Sequence, residues 1–323
     1  MNYTPPYTIT SKILSLVSDI VETITDIKHI EQKTVTPKLR KKNRIRSITG
    51  SLQIEGNSFS EDKVTAMVEG KRVLGTLKEV VEVRGAIKSY ENIDNYSYKK
   101  LSDLLLAHRL MMSDIITNAG EFRSGNVGVY GKEGVSHIAP PPYRVAELMG
   151  ELFNWLGSTK EHKLIVSCIF HYEFEFIHPF SDGNGRIGRL WQTVILKSYR
   201  ELFGYIPIES IVRDNQDRYY KALEEAGAIG ESTPFIEFIL EIILKTLQEF
   251  INYDIKSDQE SNQKSDQKII NLIKNNSKIT IKKICEKTML SQSGVKKIIK
   301  KLKEENRIIR VGSLKGGYWK IIN

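Results

Sequence analysis

Apolar residues recur through most of this chain at intervals of three and four, the spacing that puts them on one stripe of an α-helix. Ile13, Leu16, Val17, Ile20, Val21 and Ile24 predict a helix over 9–26. Pro37 opens a second, through Arg40, Arg44, Ile45, Ile48 and Leu52 to Glu55, with Gly56-Asn57 as its stop. Ser60-Glu61-Asp62-Lys63 reads as a helix start, and helical periods continue over 64–71, 77–93, 99–117 and 145–156. Residues 164–177 are apolar almost throughout and end where Pro179 bars continuation; Ile187, Leu190, Trp191, Val194 and Ile195 then mark a helix starting near Arg186. A strongly apolar helix over 234–250 closes this part of the chain. The helical pattern breaks at 120–142, where Val127 and Val129 alternate among glycines before Pro140-Pro141-Pro142; this predicts a short β-hairpin. Three short helical segments follow at 268–274, 280–287 and 291–305, and then two strands around a glycine-containing turn between Arg307 and Ile321.

Length and charge divide this mostly helical reading in two. A chain of 323 residues supports about two domains with cores of their own. Of the net +9, residues 264–323 contribute +12, from 16 Lys and Arg against 4 Asp and Glu, which leaves −3 for the rest. The polar stretch 252–267 between the two parts reads as a linker. The expected organisation is an N-terminal helical region over 1–99, a second helical domain over 100–250, a linker over 251–265 and a basic domain over 266–323. No apolar run reaches membrane-spanning length and the N-terminus carries no leader pattern, so the expected location is cytoplasmic, with no membrane partner. Cys168 and Cys285 form neither a disulfide framework nor a metal site and read as structural thiols. His108 falls on an apolar face and reads as a packing residue, and His29, His162 and His171 have no ligand spacing.

The candidate chemistry lies between the two central helices, in His178-Pro179-Phe180-Ser181-Asp182-Gly183-Asn184-Gly185-Arg186-Ile187-Gly188-Arg189. Glycines let several backbone N–H groups converge, and the start of the next helix adds unpaired donors, so a phosphate is a natural occupant. Asp182 can hold a hard cation such as Mg²⁺, Arg189 can clamp a second phosphate, and His178 remains available as a base. Arg186 and Arg189 are expected on one face, away from the apolar stripe. There is no Gly-x-x-x-x-Gly-Lys-Ser/Thr, so ordinary P-loop chemistry is excluded.

The run His-Pro-Phe-x-Asp-Gly-Asn-Gly-Arg-x-x-Arg, preceded by Phe174-Glu175, resembles the signature of the Fic family. The resemblance implies a mostly α-helical domain with a short β-hairpin flap. It also implies transfer of AMP from ATP, with Mg²⁺, to a hydroxyl side chain of a target protein. By position, His178 would be the base, Asp182 the metal ligand, Gly183, Asn184 and Gly185 the anion cradle, Arg186 a phosphate contact and Arg189 the γ-phosphate contact. Upstream, Ser51-Leu52-Gln53-Ile54-Glu55-Gly56 resembles the family's inhibitory Ser/Thr-x-x-x-Glu-Gly/Asn motif, which implies that Glu55 pairs with Arg189 in place of phosphate. The flap over 123–142 would take up the target as an added strand. Tyr219 and Tyr220 resemble the family's aromatic segment near the adenine pocket. The last sixty or so residues resemble a winged helix-turn-helix, with Lys296, Lys297, Lys300, Lys301 and Lys303 on the outer face of its third helix, and so bring in DNA as a partner. Two rivals stand beside AMP transfer. One is a Fic enzyme moving another phosphate-containing group or removing AMP; the other is a DNA-binding regulator whose Fic domain senses nucleotide. A second copy of the chain is a further partner class.

Overall fold

The computed structural model describes residues 3–34, 36–131, 134–312 and 316–322. The chain forms two compact units, Met1–Ile251 and Asn252–Asn323. In the first, α1 (Ser11–Thr34), α2 (Pro37–Ile54), α3 (Glu61–Val68), α4 (Leu77–Glu91) and α5 (Leu101–Met112) precede an antiparallel hairpin of β1 (Gly128–Gly131) and β2 (Gly134–Ile138). After it come α6 (Pro142–Ser158), α7 (Lys163–Ile177), α8 (Asn184–Tyr199), α9 (Ile208–Asp214), α10 (Gln216–Ile229) and α11 (Thr233–Glu249). This unit adopts the expected mostly α-helical architecture with a short hairpin.

α7 and α8 pack together at the centre, flanked by α6 and α11, with α1 laid on α11. α7 is buried on nearly every side, which explains why its sequence is apolar all round rather than striped. Phe170 and Phe174 on α7 and Trp191 on α8 are fully buried, and truncating any of them to Ala would cost about 3–5 kcal/mol. This packed pair fixes the turn at 178–183 from both sides.

α2 lies against α9 and α4. Its start and stop are encoded locally. The Thr36 hydroxyl accepts from the Leu39 N–H at 3.1 Å and Pro37 occupies the first turn. At the other end Gly56 turns left-handed (φ +86°), and the Gly56 and Asn57 N–H groups bond back to the Gln53 and Leu52 carbonyls. Glu55 is thereby held at the helix exit.

The second unit contains α12 (Lys256–Asn275), α13 (Ile281–Thr288), α14 (Gln292–Glu304) and an antiparallel pair, β3 (Ile308–Val311) with β4 (Tyr318–Ile321). Ile269, Ile273, Ile284, Val295, Ile299, Leu302, Ile308 and Trp319 form its core. α13 ends on Met289 in a left-handed conformation and Ser291 caps α14, giving the helix-turn-helix of a winged-helix domain. The wing's tip, 313–315, and the side chain of His29 lie outside the described residues.

Some boundaries differ from expectation. The polar stretch read as a linker is helical from Lys256 onward, because Lys, Gln and Glu are good helix formers and Ile269, Ile270 and Ile273 anchor the helix in the core. The first helix runs on to Thr34. Cys168 is buried, which pushes its thiol up to about 12, whereas Cys285 is only half-buried. Among the described residues no helix is long and apolar enough to cross a membrane.

Candidate active site

α7 stops at His178, a non-glycine residue in left-handed backbone (φ 48°, ψ 60°). Such a conformation is disfavoured for a side chain with a Cβ and persists only when surroundings over-determine it. Here they do. The His178 N–H bonds to the Phe174 carbonyl at 2.9 Å, and Arg123 grips the turn from outside. Its Nε donates to the His178 carbonyl at 2.7 Å, its Nη2 to the Pro140 and Ile177 carbonyls, and its Nη1 to the Gly125 carbonyl. One buried guanidinium thus ties both ends of the hairpin to the His178 turn. No local sequence signal announces this bracing role for Arg123.

The following loop is closed by its own side chains. The Asn184 Oδ1 accepts from the Phe180 N–H and its Nδ2 donates to the Phe180 carbonyl, both at 2.9 Å. The side chain of Asn184, expected in the anion cradle, is therefore consumed in shaping the loop, and only its backbone N–H remains for a ligand. Gly183 takes φ +85° to start α8, whose first helical bond runs from the Ile187 N–H to the Gly183 carbonyl. The N–H groups before Ile187 have no partner within the helix, which creates an anion seat. His108 backs this loop: its ring stacks on Phe180 at 3.6 Å, Nδ1 accepts from the Gly120 N–H at 2.8 Å and Nε2 donates to the Asp182 carbonyl at 3.0 Å. Burial lowers its pKa to about 4, so the ring is neutral with a fixed tautomer.

Arg186 and Arg189 are both buried, because the Glu82 and Glu55 carboxylates from other elements meet them. Arg186 Nη2 donates to Asp182 Oδ1 at 3.0 Å, and its Nη1 lies 3.9 Å from Glu82 on α4. Its Nε and Nη1 are buried with no hydrogen-bond partner. Buried donors left open in this way suit an anionic ligand. The Asp182 carboxylate is half exposed at the loop's edge, with one oxygen held by Arg186 and the Gly183 N–H. A single carboxylate placed so fits Mg²⁺ that takes its remaining ligands from phosphate and water.

Arg189 is engaged by α2. Its Nη2 donates to Glu55 Oε1 at 2.6 Å and to the Ser51 carbonyl at 3.1 Å, and its Nε donates to Ser51 Oγ at 3.1 Å. Burial alone would weaken the Arg189 charge, but Glu55 more than offsets it and the pKa is raised. Gly185 makes the approach possible: a Cβ there would collide with the Glu55 carboxylate. Gln216 and Arg213 hold the end of α2 through the Ile54 carbonyl and the Gln53 side chain.

The two tyrosines part company. Tyr219 is buried among His171, Tyr220, Phe235 and Phe238, and its hydroxyl donates to His171 Nε2 at 3.1 Å, so its ring offers no face to a purine. Tyr220 is 40% exposed beside Gln216 and keeps an open face. Helical periodicity separates neighbours by about 100°, which is why adjacent tyrosines cannot share one role.

This geometry unites a helix-exit imidazole, an anion seat, a metal-competent carboxylate and two buried guanidinium groups. A Fic/DOC family model matches residues 98–196, and a winged helix-turn-helix DNA-binding model matches residues 263–309. A Fic family protein from Desulfovibrio desulfuricans G20 has a crystal structure that is 39% identical, covers 99% of this chain and 98% of its own, and superposes with a TM-score of 0.78. The chain belongs to the Fic family. Among curated proteins, the Protein adenylyltransferase Fic of Culex quinquefasciatus is 32% identical over 208 residues, 61% of this chain and 39% of that protein. Its Aedes aegypti counterpart is 31% identical over 61% of this chain and 40% of its own length. This Fic chain therefore spans about two fifths of the length of the curated relatives it matches. Fic-1 from C. elegans, at 21% identity and a TM-score of 0.59, shares the fold.

Proposed function

We propose that this Fic protein transfers AMP from Mg²⁺-ATP to a Ser, Thr or Tyr hydroxyl of a target protein, and that Glu55 holds it inactive. In the productive state the phosphates sit on the N–H groups that open α8, with Arg186 and Arg189 as clamps. Mg²⁺ on Asp182 would supply charge neutralisation at the phosphate oxygens. The target hydroxyl oxygen attacks the α-phosphorus, its proton passes to His178, and the bond to pyrophosphate breaks. Gly183, Asn184 and Gly185 contribute backbone donors, and Tyr220 the aromatic face for adenine. The flap over 123–142 aligns the target segment as an added strand, with its base fixed by Arg123.

One observation carries the inhibitory reading: the Glu55 carboxylate lies 2.6 Å from Arg189 Nη2, over the first turn of α8, where a phosphate would otherwise sit. Residues 1–99 thus supply the inhibitory helix and residues 100–250 the catalytic groups. The test is α-phosphate-labelled ATP with Glu55→Gly and with Glu55→Gly/His178→Ala. Label on protein in the first and none in the second supports the reading. The mass of the adduct separates AMP from another transferred group.

A second reading, DNA binding by 266–323, is favoured by α14. Lys296 and Lys297 are exposed on its outer face, whereas Lys301 is tied to the buried Asp266 at 2.7 Å and Lys303 covers the Trp319 ring. If the Fic domain only senses nucleotide, Glu55→Gly gives no adduct, and ATP changes DNA affinity instead.

A further inference from the structure

We infer that Glu175 is a positioning residue for His178, holding its imidazole in the tautomer that can accept a proton at Nε2 and stabilising the imidazolium that results. The inference rests on the transfer reading above. Glu175 lies in the last turn of α7, three residues before His178 at the helix exit. Its Oε2 is 4.0 Å from His178 Nδ1, an ion-pair distance rather than a hydrogen bond, in a structure whose phosphate clamp is occupied by Glu55. A carboxylate on the Nδ1 side favours a proton there and leaves Nε2 as the acceptor.

The setting is costly for a carboxylate with only a packing role. Glu175 Oε1 is buried and has no hydrogen-bond partner, 3.7 Å from His171 Nε2. That nitrogen cannot help it. His171 Nδ1 donates to Gln192 Oε1 at 2.8 Å and Nε2 accepts from the Tyr219 hydroxyl, so His171 offers Glu175 a lone pair. Burial lowers the His171 pKa to about 3, which keeps that ring neutral. Space for the carboxylate is made by Gly188, where a Cβ would come within 2.8 Å of Glu175 Oε1. An unsatisfied buried carboxylate beside a base is an arrangement that stability alone does not favour.

The groups facing Glu175 are His171 on its own helix, His178 at that helix's exit, Arg189 on α8, Glu55 at the exit of α2 and Tyr219 on α10. Burial raises the Glu175 pKa to about 7, Arg189 pulls it down and Glu55 pushes it up. Removal of Glu55 therefore shifts Glu175 toward its ionised form, so the same event that frees Arg189 also charges the partner of the base.

The test uses the full chain in the Glu55→Gly background, comparing Glu175→Gln and Glu175→Ala by two readouts. In NMR titrations of labelled histidine without nucleotide, the His178 pKa falls by about one unit in both variants. In transfer assays both lower kcat about tenfold, leave the KM for ATP within about twofold, and move the acid limb of the pH profile down by about one unit. Formate, and not formamide, restores part of the Glu175→Ala rate. Glu175→Gln is isosteric and uncharged and so folds, as a thermal melt will check. An unchanged His178 titration overturns the inference, as does a Glu175→Gln variant with the parent's rate. A shifted titration with no adduct from any variant supports the positioning role and refutes the transfer reading, so the two fail separately.

Discussion

Replacing Glu55 by Gly should separate the proposed inhibition from folding, and the size of the effect follows from the geometry. The substitution removes the carboxylate 2.6 Å from Arg189 and leaves the Ser51 contacts, so a buried guanidinium loses its counter-charge but not every acceptor. Breaking a buried ion pair costs about 3–5 kcal/mol, whereas exposed pairs are worth at most about 1. The Glu55 side chain is 36% exposed and water can enter its place, so about 2–3 kcal/mol is the reasonable range. On the proposed function, that is the energy ATP would have to overcome to seat its terminal phosphate on Arg189, and it corresponds to about 30- to 150-fold in the competent population. The initial rate of label transfer from α-phosphate-labelled ATP should rise by that factor in Glu55→Gly. Without nucleotide its melting temperature should fall, and Mg²⁺-ATP should restore it more than in the parent, since the phosphate replaces the lost carboxylate. Equal transfer rates in parent and variant would refute the reasoning.

Gly50→Ala should release the same brake from a distance: its Cβ would lie 2.7 Å from the Ser210 backbone nitrogen, so α2 must shift off α9. The expected cost is about 1–3 kcal/mol in a thermal melt, with faster transfer; an unchanged melt and rate would contradict the packing account. Stability should also fall as pH drops from about 6.5 toward 4, because His108, with its pKa lowered to about 4, is neutral in the fold but protonates in the unfolded chain. His171 acts in the same direction, and His108→Gln should flatten the slope of unfolding free energy against pH. For the C-terminal unit, Lys296→Gln and Lys297→Gln should each reduce the slope of log affinity for DNA against log salt by about 0.9, while Lys301→Gln should act mainly through stability.

What the sequence made legible was whatever depends on local chemistry. The apolar run of α7, the Pro179 stop, the Pro37 start of α2 with its Gly56 exit, and the glycine turn before α8 are each written within a few residues of where they act. The spacing of His178, Asp182, Arg186 and Arg189 was readable for the same reason. Contacts from distant elements were not, apart from the Glu55–Arg189 pair that the inhibitory motif implied. Nothing near Arg123 or His108 announces that one staples the hairpin to the His178 turn and the other backs the loop, because both act through carbonyls far along the chain. The burial of Arg186 and Arg189 was not legible from periodicity, which places them off the apolar stripe but cannot see Glu82 arriving from α4; only the inhibitory motif pointed to Glu55 on Arg189. A signal for His108 existed, a histidine on an apolar face, and its partner was the missing half. Low-complexity composition misled at α12, where three isoleucines were enough to organise a polar helix.

The central claim is that Glu55 occupies the phosphate subsite of a nucleotide seated between α7 and α8. A crystal structure of Glu55→Gly soaked with ATP and Mg²⁺ tests it most directly. The account predicts phosphate oxygens on the first N–H groups of α8 and on Arg186, the terminal phosphate on Arg189, and His178 facing the α-phosphorus. Nucleotide bound elsewhere, or Arg189 still closed over Ser51 with the α8 turn bare, would contradict it.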